Sequence, residues 1–159
     1  AEMQALGRYY DECRGMGATL SMCWFSPGWM FFSHLGDSRV YYLPHDGPMK
    51  QLTEDHTFVG YQRRQGLMTE REARNHPGKN RLQKVLGSSM QIVDPHLGAV
   101  GIEPGDRFLI CSDGIVDGLW DHRIADAIRG GMSAADLVRE AIQAGSRDNA
   151  TAVMVEVMG

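Results

Sequence analysis

The sequence predicts an α+β fold in which antiparallel strands are layered against helices, and three observations carry that reading. Short apolar and aromatic runs separated by tight-turn signals fill residues 18–52. Helical spacing enters mainly in the later half of the chain, and one more apolar run closes it. Strands in a meander, then helices, then a closing strand favour a layered α+β arrangement over a doubly wound one.

The chain enters on what reads as the end of a helix. Residues 18–25 and 29–35 follow as strands around Ser26-Pro27-Gly28. Segments 39–43 and 48–52 form the next pair across His45-Asp46-Gly47, and Asp-Gly between such runs is a strong hairpin signal. Connections this short make sequential strands antiparallel, because parallel pairs need a long crossover. Residues 55–81 then turn polar and basic, with Arg63, Arg64, Arg71, Arg74, Lys79 and Arg81. Thr69 to Glu72 reads as a capping box that opens a short helix, and His76-Pro77-Gly78 ends it. We read this stretch as a surface flap whose basic residues form a solvated face or border a phosphate site.

Strands resume at 97–102 and 107–112 around the turn Pro104-Gly105-Asp106. A helix is predicted over 118–129, where Leu119, Ile124, Ala127 and Ile128 recur with helical spacing. A second starts at Ser133, with Asp136 as capping partner, and ends at Gly145. Residues 150–157 read as a largely buried closing strand. The whole is expected to be one domain over 1–159 carrying the flap.

Composition narrows the function. The net charge of −4 gives no basic face of the kind nucleic acid would need. No stretch approaches the ~20 apolar residues that span a bilayer, and residues 1–15 lack the apolar centre of a signal peptide. Cys13, Cys23 and Cys111 lie far apart, which suits buried thiols in a reducing, cytoplasmic compartment rather than a disulfide framework.

Four aspartates at the ends of strands are the candidates for chemistry: Asp37, Asp113, Asp117 and Asp148. Asp113 follows the apolar run Arg107–Cys111, and Asp117 lies four residues on, so one helical turn projects both carboxylates on the same side. Hard divalent cations such as Mn²⁺ and Mg²⁺ take oxygen ligands. Zinc would call for paired His or Cys, and the six histidines are scattered with no HExxH or CxxC. Taken singly, each aspartate also suits a plain turn-capping role, as Asp46 and Asp106 do.

Five ordered segments resemble the type 2C metal-dependent protein phosphatases, the PPM family. They are Arg14 to Leu20, Gly36-Asp37-Ser38-Arg39, Leu52 to Thr57, Cys111-Ser112-Asp113-Gly114-Ile115 and Asp148-Asn149-Ala150-Thr151. His76-Pro77 and Leu86-Gly87 look like bacterial members. The resemblance implies two packed antiparallel sheets with helices on both outer faces. It implies that Asp113 and Asp148 ligate a centre of two Mn²⁺ or Mg²⁺ ions, and that Asp37 and Asp117, with Asp113, hold a third, weaker one. It further implies hydrolysis of phosphoserine or phosphothreonine in a phosphoprotein, opposing a Ser/Thr kinase, by an activated water with no covalent enzyme intermediate.

The family's N-terminal Asp-Gly-x-Gly-Gly motif, which supplies a bridging aspartate, has no match here, and the chain begins with Ala1. We therefore expect a fragment or processed product with little activity by itself, its missing first strands leaving exposed sheet edges. The alternative is a non-catalytic interaction module that keeps the fold without the chemistry. An aspartyl-nucleophile phosphatase would want a paired Asp-x-Asp after the first strand, and none occurs.

Overall fold

A computed structural model describes residues 2–87 and 94–159. Helix α1 (Glu2–Tyr9) opens the chain. Strands β1 (Leu20–Ser26) and β2 (Trp29–Leu35) follow, then β3 (Arg39–Leu43) and the short β4 (Lys50–Gln51). The flap carries α2 (Phe58–Arg64) and α3 (Glu70–Asn75). Next come β5 (His96–Gly101), β6 (Arg107–Cys111), α4 (Asp113–Gly118), α5 (Asp121–Arg129), α6 (Ala134–Gln143) and β7 (Ala152–Glu156).

The strands make two antiparallel sheets, one ordered β1-β2-β5 and the other β4-β3-β6-β7. The α+β fold class read from the sequence is thus what the chain adopts. Both hairpins pair as expected, but β2 and β3 do not pair despite their short connection. Gly36-Asp37-Ser38 instead carries the chain from one sheet to the other. Gly36 makes the switch with φ +115°, a left-handed conformation that side chains resist. A Cβ there would also stand 2.3 Å from Thr19 Cγ2.

Two apolar layers result. Met30 and Phe32 meet Val40 and Phe108 between the sheets, with Phe25 packed edge-on to the Phe108 ring. On the other side of the four-stranded sheet, Tyr41, Leu109 and Cys111 pack against Ile115, Ile124 and Leu137 of the later helices. The alternation of side chains along β3 and β6 serves both layers at once.

Two features depart from the expected elements. The helix predicted over 118–129 starts at Asp121 instead, because the extended residues Leu119 and Trp120 separate it from α4. Arg74 of the flap donates to the carbonyls of Val116, Asp117 and Leu119, so the end of α4 finds its partners outside the helix. Helix α2 has no clear signal in the sequence, because Val59 and Gly60 are weak helix formers. Thr57 starts it by accepting from Gly60 N at 2.9 Å, and Arg63 and Arg64 suit its C-terminal end. The capping box at Thr69 is present on α3, with Glu72 reaching back to Thr69 N at 2.8 Å.

The outer face of the three-stranded sheet is apolar and open among the described residues. Trp24 is 72% and Trp29 52% exposed, with Met22, Phe31 and Leu97 beside them. Trp24 pairs across the strands with Phe31, and Trp29 stacks on Phe31 at 6.4 Å between ring centroids. Contiguous apolar surface of this kind binds hydrophobic probes. Replacing Trp24 and Phe31 together by Ser is expected to cut the fluorescence of an apolar dye severalfold. The free energy of unfolding should change by less than ~1 kcal/mol, since neither ring is in the core.

Candidate metal centre

Arg39 and Asp55, from two of the five motifs, form a buried ion pair that fixes the floor of the site. Arg39 donates from Nε to both Asp55 oxygens at 2.9 and 3.1 Å, and from Nη2 to Oδ2 at 2.6 Å. Its Nη1 reaches Tyr41 OH at 2.8 Å, and Tyr41 in turn donates to Asp121 Oδ1 at 2.7 Å. Arg63 of α2 meets the other Asp121 oxygen at 3.2 Å. Four segments are joined by this network. The flap is thereby seated against β3 and α5.

The Gly36–Ser38 switch is held from the neighbouring His56. Gly36 N donates to His56 Nδ1 at 3.1 Å, while His56 N donates to Gly36 O at 2.7 Å. His34 Nε2 donates to the same carbonyl at 3.0 Å, which leaves its Nδ1 to accept from Ser21 Oγ at 2.8 Å. His56 must be neutral to accept at Nδ1. Burial first, then the cost of a second imidazolium beside His34 and the cations Lys84 and Arg64, lower its pKa to about 4. This pair of hydrogen bonds sets where Asp37 stands.

Asp113 and Asp148 are brought together by close backbone contact. Ser112 Oγ donates to Asn149 O at 3.2 Å and accepts from Thr151 N at 3.0 Å, while Ser112 N donates to Thr151 O. Gly114 permits the approach, because a Cβ there would lie 2.4 Å from Asn149 O. The Ser-Asp-Gly and Asp-Asn-x-Thr segments thus interlock through the Ser112 hydroxyl and one main-chain hydrogen bond.

Asp37, Asp113, Asp117 and Asp148 all line one cavity of about 360 Å³. Burial, and then the charges of Asp113 and Asp55, raise the Asp37 pKa to about 6. Burial raises that of Asp113 too, with the repulsion of Asp148 and Asp117 added. Asp117 is lowered instead, because Lys79 hydrogen-bonds to it. Asp106 proves to be a turn residue, accepting from Tyr42 OH, His45 N and Glu103 N.

These donors fit a hard divalent cation chemically: they are all oxygen, they share a cavity, and the strained charges of Asp37 and Asp113 are what a cation relieves. Among the described residues, however, no three His, Cys, Asp or Glu side chains stand close enough to hold an ion by themselves. Arg39, Asp55, His56, Arg74 and Lys79 were not singled out as site residues from the sequence. The basic content of the flap was the one available signal for Arg74 and Lys79.

Lowering the His56 pKa from 6.5 to about 4 has a definite sign. The stability it contributes is present above the unfolded value and is lost as pH falls through the folded one. Raising Asp37 acts in the opposite sense over much the same range, so the wild type alone does not separate them. His56→Asn keeps an acceptor without the titration. Urea unfolding from pH 7 to 4 is expected to show a shallower acid loss in this variant than in the wild type.

A model of the protein phosphatase 2C family, described as "Protein phosphatase 2C", matches residues 2–158. The chain is 35% identical over 150 residues to the serine/threonine protein phosphatase PstP of Mycobacterium tuberculosis, covering 92% of this chain and 29% of PstP. It is 35% identical over 152 residues to the protein phosphatase PhpP of Streptococcus pneumoniae, covering 92% of this chain and 61% of PhpP. The solved catalytic domain of PstP in complex with two manganese ions superposes with a TM-score of 0.85 at 32% identity. That match covers 99% of this chain and 66% of the other. The chain therefore spans less than two thirds of the length of these curated relatives.

Proposed function

Since the chain belongs to the protein phosphatase 2C family, we propose that it serves the metal-dependent hydrolysis of phosphoserine and phosphothreonine in proteins. The observation that carries this reading is the convergence of Asp37, Asp113, Asp117 and Asp148, from three separate parts of the chain, on one cavity.

In this reading Asp113 and Asp148 hold the two-metal centre, and Asp37 and Asp117 join Asp113 at a further cation. Divalent ions bound there supply Lewis acidity and an activated water for attack on phosphorus. The chain's own residues do the rest. Arg39 and Asp55 fix the position of the flap, and His56 positions Asp37 through Gly36. Arg147, exposed at the cavity rim beside Asp148, offers positive charge to an incoming phosphoryl group. The flap over residues 55–81 shapes the groove for the phosphoprotein.

Mn²⁺ is supported by the PstP complex, and Mg²⁺ suits the same oxygen donors. The three cysteines are free thiols, in keeping with a reducing cytoplasm, where a Ser/Thr kinase would supply the substrate. No helix among the described residues is long and apolar enough to cross a membrane.

The test is release of phosphate from p-nitrophenyl phosphate and from a phosphothreonine peptide by the intact parent protein, with and without Mn²⁺, since this chain is expected to have little activity by itself. Activity is expected to require the metal and to fall about 100-fold or more in Asp113→Asn, since a ligand matters at least as much as its outer-shell supports. Metal-independent turnover would overturn the reading, and no turnover at all would favour the interaction module.

A further inference from the structure

One contact in the cavity is not explained by the reaction. Lys79 Nζ is hydrogen-bonded to Asp117 Oδ1, while the other oxygen of Asp117 accepts weakly from Arg147 N at 3.5 Å. The lysine is not a loose surface side chain that happens to reach. It projects from a compact turn in which His76 Nδ1 accepts from Gly78 N at 3.0 Å, Lys79 N donates to His76 O, and Arg81 N donates to Gly78 O. The His76 ring also rests on Phe58 of α2.

Arg74 anchors the same region of the flap to the same helix. Its guanidinium binds the carbonyls that end α4 and lies 4.1 Å from the Trp120 ring centroid. Glu70 closes the arrangement by accepting from Asp121 N at 3.3 Å. The two flap cations therefore differ in kind. Arg74 binds backbone that is present whatever occupies the cavity, whereas Lys79 neutralises a carboxylate facing into it.

We infer that Lys79 is a tethered counter-ion of Asp117, which competes with a divalent cation for that carboxylate and so couples cation entry to release of the 76–81 turn. The inference rests on the proposed metal-binding role of Asp117. A monovalent ammonium and a divalent ion attract the same oxygens, and a carboxylate engaged by one is a poorer ligand for the other. Lys79 is thus a positioning residue of the flap. Both partners are partly exposed, at 36% and 29%, so the ion pair opposes the cation only modestly.

The experiment is a calorimetric Mn²⁺ titration of the protein and of Lys79→Met, Lys79→Arg and Asp117→Asn, together with hydrogen exchange at residues 76–81. Lys79→Met is expected to tighten the weakest Mn²⁺ site by about two- to fivefold, the size of one partly exposed ion pair. Lys79→Arg should stay near wild type, and Asp117→Asn should lose that site. Saturating Mn²⁺ should speed exchange at 78–81 in the wild type but not in Asp117→Asn. If Lys79→Met binds Mn²⁺ as the wild type does while Asp117→Asn loses the site, the competition is overturned and the metal reading stands. If neither the wild type nor any variant binds Mn²⁺, the metal reading itself falls, and the inference with it.

Discussion

The buried pairing of Arg39 with Asp55 is the constraint on which the rest of the architecture rests. One guanidinium satisfies both carboxylate oxygens and a tyrosine hydroxyl, and through Tyr41 it reaches Asp121 of α5. A charge so deep in the protein is tolerable only when its hydrogen bonds are filled, and removing one partner of such a pair typically costs about 3–5 kcal/mol. Its value here is geometric. The residues come from β3, from the stretch before the flap and from α5, and Arg63 adds the flap itself. An apolar replacement could fill the space but could not set those segments at one orientation.

Upon that floor the chain places carboxylates where they do not sit comfortably alone. Asp113 and Asp148 are drawn together by hydrogen bonds from the Ser112 hydroxyl and backbone and by the absence of a side chain at Gly114. The fold thus spends backbone complementarity on bringing like charges together. Asp37 and Asp113 have raised pKa values, through burial first and the repulsion of neighbouring carboxylates second, which is the mark of a site built for positive occupants. The flap supplies one such occupant, Lys79 at Asp117, while its Arg74 holds the end of α4 by the backbone. Flap position and site charge are consequently a single problem.

Much of this was legible in the sequence, and the limits are physical. Turn residues marked the hairpins, and the run from Arg107 to Cys111 stood out as a strand because it is buried on both faces. The four aspartates could be named from motif spacing, since each lies at an element boundary. What spacing could not convey was topology at Gly36, where a short connection changes sheets instead of closing a hairpin. Nor could it foresee α2, whose local propensity is weak and whose start depends on one threonine. The break at Leu119-Trp120 depends on Arg74, some 45 residues away in the chain, so no local pattern records it. His56 looked like one letter of a motif. Its role emerged only once its ring nitrogen was seen to accept from Gly36.

The central claim is that separate carboxylates share one set of hard cations. Crystals of the protein grown with Mn²⁺, with anomalous diffraction collected at the manganese edge, address it most directly. The account predicts anomalous peaks inside the cavity, within coordination distance of Asp113 and Asp148. A map with no peak there, or with manganese bound only elsewhere on the surface, would contradict it.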